Sequence, residues 1–234
     1  MKTIGLIGGM SWESTAEYYR IINELIAQKL GGLHSGRIVL FSVDFEEIER
    51  TQVEGRWDKA ATILAGAATA LERAGADFLL ICTNTMHKVA SEVAESTRLP
   101  LLHIGEVTGA AIAQQGMRRV GLLGTRFVME EGFYREALEE RFALQVVVPS
   151  EKGMDAVHGI IYGELCKGQI EDSSRRACVQ IIGDMVQQGV EGIVLGCTEL
   201  PMLIRQEDVD VPLFDTTRLH AEAAVEMALD EPAA

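Results

Sequence analysis

The chain has 234 residues, 47% hydrophobic and 24% charged, and its 35 acidic side chains outnumber 21 basic ones for a net charge of −14. Domains commonly run to ~100–150 residues, so this length falls between one domain and two, and either plan buries roughly 70% of the unfolded surface without disulfides or metals. The acidic balance argues against a nucleic-acid partner, where Lys and Arg must neutralise phosphates, and against an anionic membrane surface. No apolar run approaches the ~20 residues of a spanning helix, and the apolar start after Lys2 is interrupted by Ser11 and Glu13. The chain reads as cytoplasmic, with no nucleic-acid and no membrane partner.

Short apolar runs alternate with longer amphipathic ones, the pattern of strand and helix units on a parallel sheet. Strands are predicted at 3–8, 38–43, 78–82, 101–104, 120–124, 145–148, 192–195 and 212–215. Helices are predicted over 15–30, 59–74, 86–96, 106–115, 129–141, 173–188 and 218–229.

Three stretches recur in the same order at nearly one offset. Gly5-Leu6-Ile7-Gly8-Gly9 returns as Gly121-Leu122-Leu123-Gly124-Thr125. The segment from Ala74 through Cys82-Thr83-Asn84-Thr85 returns from Gln188 through Gly196-Cys197-Thr198-Glu199. Leu99-Pro100-Leu101-Leu102-His103 returns as Val211-Pro212-Leu213-Phe214-Asp215. The fold implied is α/β: two pseudo-symmetric Rossmann-like domains, each a parallel sheet of about four strands flanked by helices, with the active site in the cleft between them. Ligands in such sheets bind beyond the carboxyl ends of the strands. If the last helix returns to the first half by the same pseudo-symmetry, the N-terminal domain comprises 1–105 plus 217–234 and the C-terminal domain 106–216.

The four cysteines, Cys82, Cys166, Cys178 and Cys197, have no zinc-site spacing and read as free thiols. Cys197 stands apart, because it follows the buried-strand pattern Gly192–Gly196 and precedes a helix start, a setting that can lower a thiol pKa from ~8.5 towards neutrality. The repeat puts Thr83 at the equivalent position of the first half. Cys82 precedes Thr83, points to the opposite face of an extended strand, and reads with Cys166 and Cys178 as packing. Asn84, Thr85 and Thr198 offer short polar groups at strand-to-helix turns, suited either to holding a carboxylate or to capping the helices. His87 either orients this turn or is satisfied by local backbone.

Gly8-Gly9-Met10, Thr83-Asn84-Thr85-Met86-His87 and Gly196-Cys197-Thr198-Glu199-Leu200 resemble the signatures of the aspartate/glutamate racemase family, which is independent of pyridoxal phosphate. The resemblance spans nearly the whole chain and is strongest to the branch reading Cys-Thr-Asn-Thr-Met-His, described as aspartate/glutamate-specific. It implies a two-base mechanism without cofactor or metal, in which two cysteines on opposite sides of Cα exchange its proton. Cys197 matches the second cysteine, and Thr83 replaces the first. A hydroxyl is a poor base but can donate to a carbanion, so Cys197 is expected to abstract and Thr83 to deliver, with L-aspartate or L-glutamate favoured.

By the same resemblance Met10, Gln52, Asn84, Thr85, Thr125 and Thr198 surround the amino-acid substrate, Glu199 is a further candidate site residue, and the protein is a homodimer. Arg50 either supplies the cation for the distal carboxylate or belongs to a solvated face among Glu46, Glu47, Glu49 and Glu54. Cys166 stands where many members carry lysine. Two other readings stay open: a same-scaffold decarboxylase or isomerase using one cysteine, and a non-catalytic binder of acidic amino acids. A nucleotide enzyme is disfavoured, because Gly5-Leu6-Ile7-Gly8-Gly9 lacks the full G-x-G-x-x-G spacing.

Overall fold

The computed structural model describes residues 1–230, so the end of the expected segment 217–234 lies outside the described residues. The first elements are β1 (Ile4–Gly8), α1 (Trp12–Leu30), β2 (Ile38–Ser42), α2 (Phe45–Val53), α3 (Trp57–Arg73), β3 (Phe78–Ile81) and α4 (Ala90–Glu95). They continue as α5 (Ile104–Gln114), β4 (Arg119–Gly124), α6 (Arg126–Glu130), α7 (Gly132–Phe142), β5 (Gln145–Val147) and α8 (Glu151–Gly163). The last are α9 (Asp172–Val186), β6 (Gly192–Gly196), α10 (Leu200–Leu203), β7 (Leu213–Asp215) and α11 (Thr216–Leu229). Two compact units result: Met1–Ile104 with the C-terminal segment from His220 on, and Gly105–Leu219. Each holds one wholly parallel sheet flanked by helices, in the order β2-β1-β3 and β5-β4-β6-β7. The α/β class and its two pseudo-symmetric Rossmann-like units are those read from the repeat.

In the first unit β1 is the central strand, and its Ile4, Leu6 and Ile7 are fully buried, as a parallel strand covered on both faces requires. One face packs on Tyr18, Ile21, Ile22 and Ile26 of α1, a single helical stripe, and on Ala221, Ala224, Val225 and Ala228 of α11. The other face packs on Leu64, Ala67, Ala68 and Leu71 of α3. Helix α1 starts cleanly because Ser11 Oγ accepts from Ser14 N–H at 3.3 Å.

The fourth strand expected at 101–104 is reduced to one bridge, Leu79↔Leu101. Leu79 N–H donates to Pro100 O and Leu102 N–H to Leu79 O, both at 2.9 Å. A further parallel rung would use Leu102 C=O and Ile104 N–H. Histidines take both: His220 Nε2 donates to Leu102 O at 2.9 Å, and Ile104 N–H donates to His87 Nε2 at 3.2 Å. In the second unit β7 pairs with β6 from Ile193↔Leu213 to Leu195↔Asp215.

The second unit buries Leu123, Ile193 and Leu195 of its sheet against Val157, Ile160 and Ile161 of α8 and Cys178, Ile182 and Met185 of α9. The helix expected at 129–141 is divided into α6 and α7 by Glu131, which is extended at φ −83° and ψ 146°. The helix expected at 86–96 begins as a 3-10 turn, Thr85–Val89, before α4. No described helix is long and apolar enough to cross a membrane.

Candidate active site

Both sheets end in glycine-tightened turns. Gly9 has φ +93°, and a Cβ there would lie 2.3 Å from Val43 O, so only glycine fits. Its N–H donates to Thr15 Oγ1 at 2.8 Å, and that hydroxyl donates to Ser11 O at 2.8 Å, which fixes the turn onto the start of α1. In the second unit β4 and β6 end in register at Gly124 and Gly196, where a Cβ on Gly124 would meet Gly196 O at 2.8 Å.

Beyond β3, Cys82 is fully buried in the apolar cluster with Tyr18 and Leu80, and burial pushes its thiol far above the usual range. Thr83, 8% exposed, begins the polar turn, and Asn84 and Thr85 are buried beside it. Asn84 opens the 3-10 turn without a side-chain capping bond, so capping does not account for its amide. His87 Nδ1 donates to Thr83 O at 2.8 Å. Gln52 of α2 is buried and its Nε2 donates to Met86 Sδ at 3.1 Å, fastening α2 to this turn. Met10 is buried in one apolar cluster with Ile7, Ile48 and Met86. Arg50, in the last turn of α2, is exposed.

Beyond β6, Cys197 is 7% exposed. Its Sγ donates to Glu199 Oε2 at 3.1 Å, and Thr198 Oγ1 donates to the same oxygen at 2.8 Å. Glu199 is buried as well. The thiol expected to be shifted towards neutrality is instead held well above its ordinary range. Burial is the main cause, followed by the charge of Glu199 and the neighbouring Cys166 thiol, while a hydrogen bond from the Glu199 backbone pulls the other way. The helix that follows, α10, has only four residues, too short a dipole to offset this desolvation.

Thr125, at the repeat position of Gly9, caps α6 by accepting from Val128 N–H at 3.3 Å. Cys166 is half-buried against the apolar cluster that contains Cys197, on a 3-10 turn (Leu165–Lys167) that packs on α10. Cys178 is buried in that cluster, its thiol pushed up to about 12 by burial and by the charge of Glu164. All four cysteines are free.

Of the three histidines gathered under the Thr83 turn, the sequence singles out His87, whose bond to Thr83 O is the local backbone partner expected for it, whereas His103 and His220 carry no local signal. The rings of His87 and His103 lie 4.6 Å apart and those of His87 and His220 5.9 Å apart, all edge-on. Tyr18 OH bonds to His220 Nδ1 at 2.8 Å. Among the described residues no group of His, Cys, Asp or Glu is placed to hold a metal ion.

The Asp/Glu/Hydantoin racemase family matches residues 7–224. The broad specificity amino-acid racemase RacX of Bacillus subtilis is 23% identical over 238 residues, covering 95% of this chain and 96% of that protein. A crystal structure from Yersinia pestis, named only provisionally as an Asp/Glu racemase, shares 51% identity with a TM-score of 0.92, covering 98% of this chain and 100% of that one. An aspartate racemase homologue from Pyrococcus horikoshii shares 36% identity with a TM-score of 0.85, over 98% and 100% of the two chains. A family match whose range, residues 7–224, takes in both units and the positions of Thr83 and Cys197 makes this chain a member of the Asp/Glu/Hydantoin racemase family.

Proposed function

We propose that the protein racemises aspartate and glutamate without pyridoxal phosphate, Cys197 removing the Cα proton of the L-enantiomer and Thr83 returning a proton to the opposite face. The contact between Cys197 Sγ and Glu199 Oε2 carries this reading. A buried thiol is a reluctant acid, but here its hydrogen is already directed at a carboxylate, so the acceptor is in place when the thiolate forms. Glu199 takes the Sγ proton, the thiolate takes the Cα proton, and the Thr83 hydroxyl protonates the carbanion. Solvent then carries a proton from Glu199 back to Thr83, and the atoms balance over one turnover.

Family membership supports the reaction class, and relatives named as a broad specificity amino-acid racemase and an aspartate racemase homologue support an amino-acid substrate. Met10, Gln52, Asn84, Thr85, Thr125 and Thr198 are the proposed substrate-binding set, with Arg50 as the cation for the distal carboxylate. The working form is proposed to be a cytoplasmic homodimer.

The test is incubation of L- and D-aspartate and L- and D-glutamate in D₂O, with Cα–H followed by NMR and optical activity by circular dichroism. Deuteration with inversion is expected. Saturable binding without exchange of any of the four would replace the racemase by a binding protein. Deuteration with full retention would leave Cys197 working and remove Thr83 from the mechanism.

A further inference from the structure

We propose that His87 is the positioning residue of the Thr83 turn, a neutral imidazole that stands in for a missing sheet rung and fixes the backbone from which the Thr83 hydroxyl acts. The inference rests on the reading that Thr83 returns the proton.

The geometry determines the tautomer. Thr83 O is a carbonyl and only accepts, so His87 Nδ1 carries the hydrogen; Ile104 N–H only donates, so Nε2 is bare. A protonated ring would set a second N–H against Ile104 N–H. The ring is fully enclosed, and burial together with the neighbouring His103 and His220 holds it well below the usual histidine range. His87 therefore stays neutral while it spans the end of β3 and the start of α5.

The position of this bridge is what ties it to Thr83. Ile104 is the last residue of the first unit before the chain crosses to the second, and His220 is the first after it returns. Leu102 C=O and Ile104 N–H are the groups a fourth strand would use, and His220 and His87 hold them instead. The related turn of the second unit has Thr216 Oγ1 donating to Leu195 O at 2.8 Å, with β7 fully paired. The threonine turn is joined to the adjoining backbone by a side chain from its own 3-10 segment.

Partitioning in D₂O separates positioning from folding. Once Cys197 has taken the proton of L-aspartate and its thiol has exchanged that hydrogen with D₂O, the intermediate collapses either to deuterated L-aspartate from the Cys197 side or to deuterated D-aspartate from the Thr83 side. The ratio of their initial rates does not depend on how much enzyme is folded. His87→Gln, which loses the donor to Thr83 O, is expected to lower the D:L ratio about tenfold or more, since misplacement near 1 Å costs on the order of a hundredfold. His87→Asn puts its amide nitrogen where Nδ1 stood and is expected to restore most of the ratio. A wild-type ratio in His87→Gln overturns the assignment. Wild-type protein that labels L-aspartate but forms no D-aspartate overturns the Thr83 reading, and the assignment falls with it. Independently of activity, ¹⁵N NMR of labelled histidine should show the resonance lost in His87→Asn as the neutral Nδ1–H form at neutral pH; an Nε2–H form or a cation there overturns the assignment.

Discussion

Cys197 and Glu199 share a buried contact of 3.1 Å in which the thiol donates to the carboxylate, and this carboxylate both raises the thiol and offers to hold its proton. The two effects act in opposite directions on turnover, so one substitution separates them. Glu199→Gln removes the charge that disfavours the thiolate, and the Cys197 thiolate, followed by ultraviolet absorbance against a Cys197→Ala blank, should form at lower pH than in the wild type. The amide cannot take up the Sγ proton, and kcat should nevertheless fall about a hundredfold, in the range typical of a lost general base. If Glu199 were only an unfavourable charge, the same variant would be faster than wild type at neutral pH.

Thr83→Cys replaces a hydroxyl that is a poor base by a thiol that abstracts more readily. The enantiomers have equal free energy in achiral water, so kcat/KM must rise equally in both directions. The gain should appear as an increase of about tenfold in kcat for the D-enantiomers, where Thr83 would otherwise have to act as the base. Progress curves from pure L- and pure D-aspartate measure it, and unchanged D-to-L turnover would remove Thr83 from the base role.

How far these features are legible in the sequence follows from the reach of the interactions behind them. The runs around β1, β3, β4 and β6 are apolar throughout because both sheet faces are covered, so the repeat and the sheet centres show in the sequence. Leu99-Pro100-Leu101-Leu102 reads like Val211-Pro212-Leu213-Phe214, yet only the second becomes a strand, since His87 and His220 take the hydrogen-bonding groups of the first. Tyr18 and His220 meet across 202 residues, which no local pattern reveals. Cys197 shows in its motif but the direction of its thiol shift does not: helix-start chemistry is local, whereas the desolvation that overrides it comes from the packed second unit. The Cys-Thr-Glu spacing was the one signal available for Glu199.

Gly9→Ala and Gly31→Ala place the same methyl on left-handed backbone, φ +93° and +73°, but only Gly9 has backbone in its path. Gly31→Ala, at φ +73° and ψ −173°, should cost about 1–2 kcal/mol from conformation alone. Gly9→Ala should cost about 3 kcal/mol, because Val43 must also move. Both tryptophans, Trp12 and Trp57, lie in the first unit, so urea unfolding followed by their fluorescence reports on that unit. Equal losses at the two positions would mean that the Gly9 turn yields freely.

The buried histidines also set an acid limit on the first unit. His220 is pushed down to about 3, chiefly by burial, and His87 lies well below its ordinary value for the same reason. In the unfolded chain both accept protons below about 6.5, while the folded unit refuses them. Their contribution is therefore fully present above about pH 6.5 and is lost as pH falls, that of His220 continuing to about 3. Each such proton steepens the loss by about 1.4 kcal/mol per pH unit. His220→Gln keeps a donor for Leu102 O but cannot titrate. Between about pH 6 and 4, its unfolding free energy should fall less steeply than that of wild type by about one proton's slope, since other ionisable groups common to the two proteins cancel in the difference. Parallel curves would mean that the folded unit opens enough to protonate His220 at its ordinary pKa.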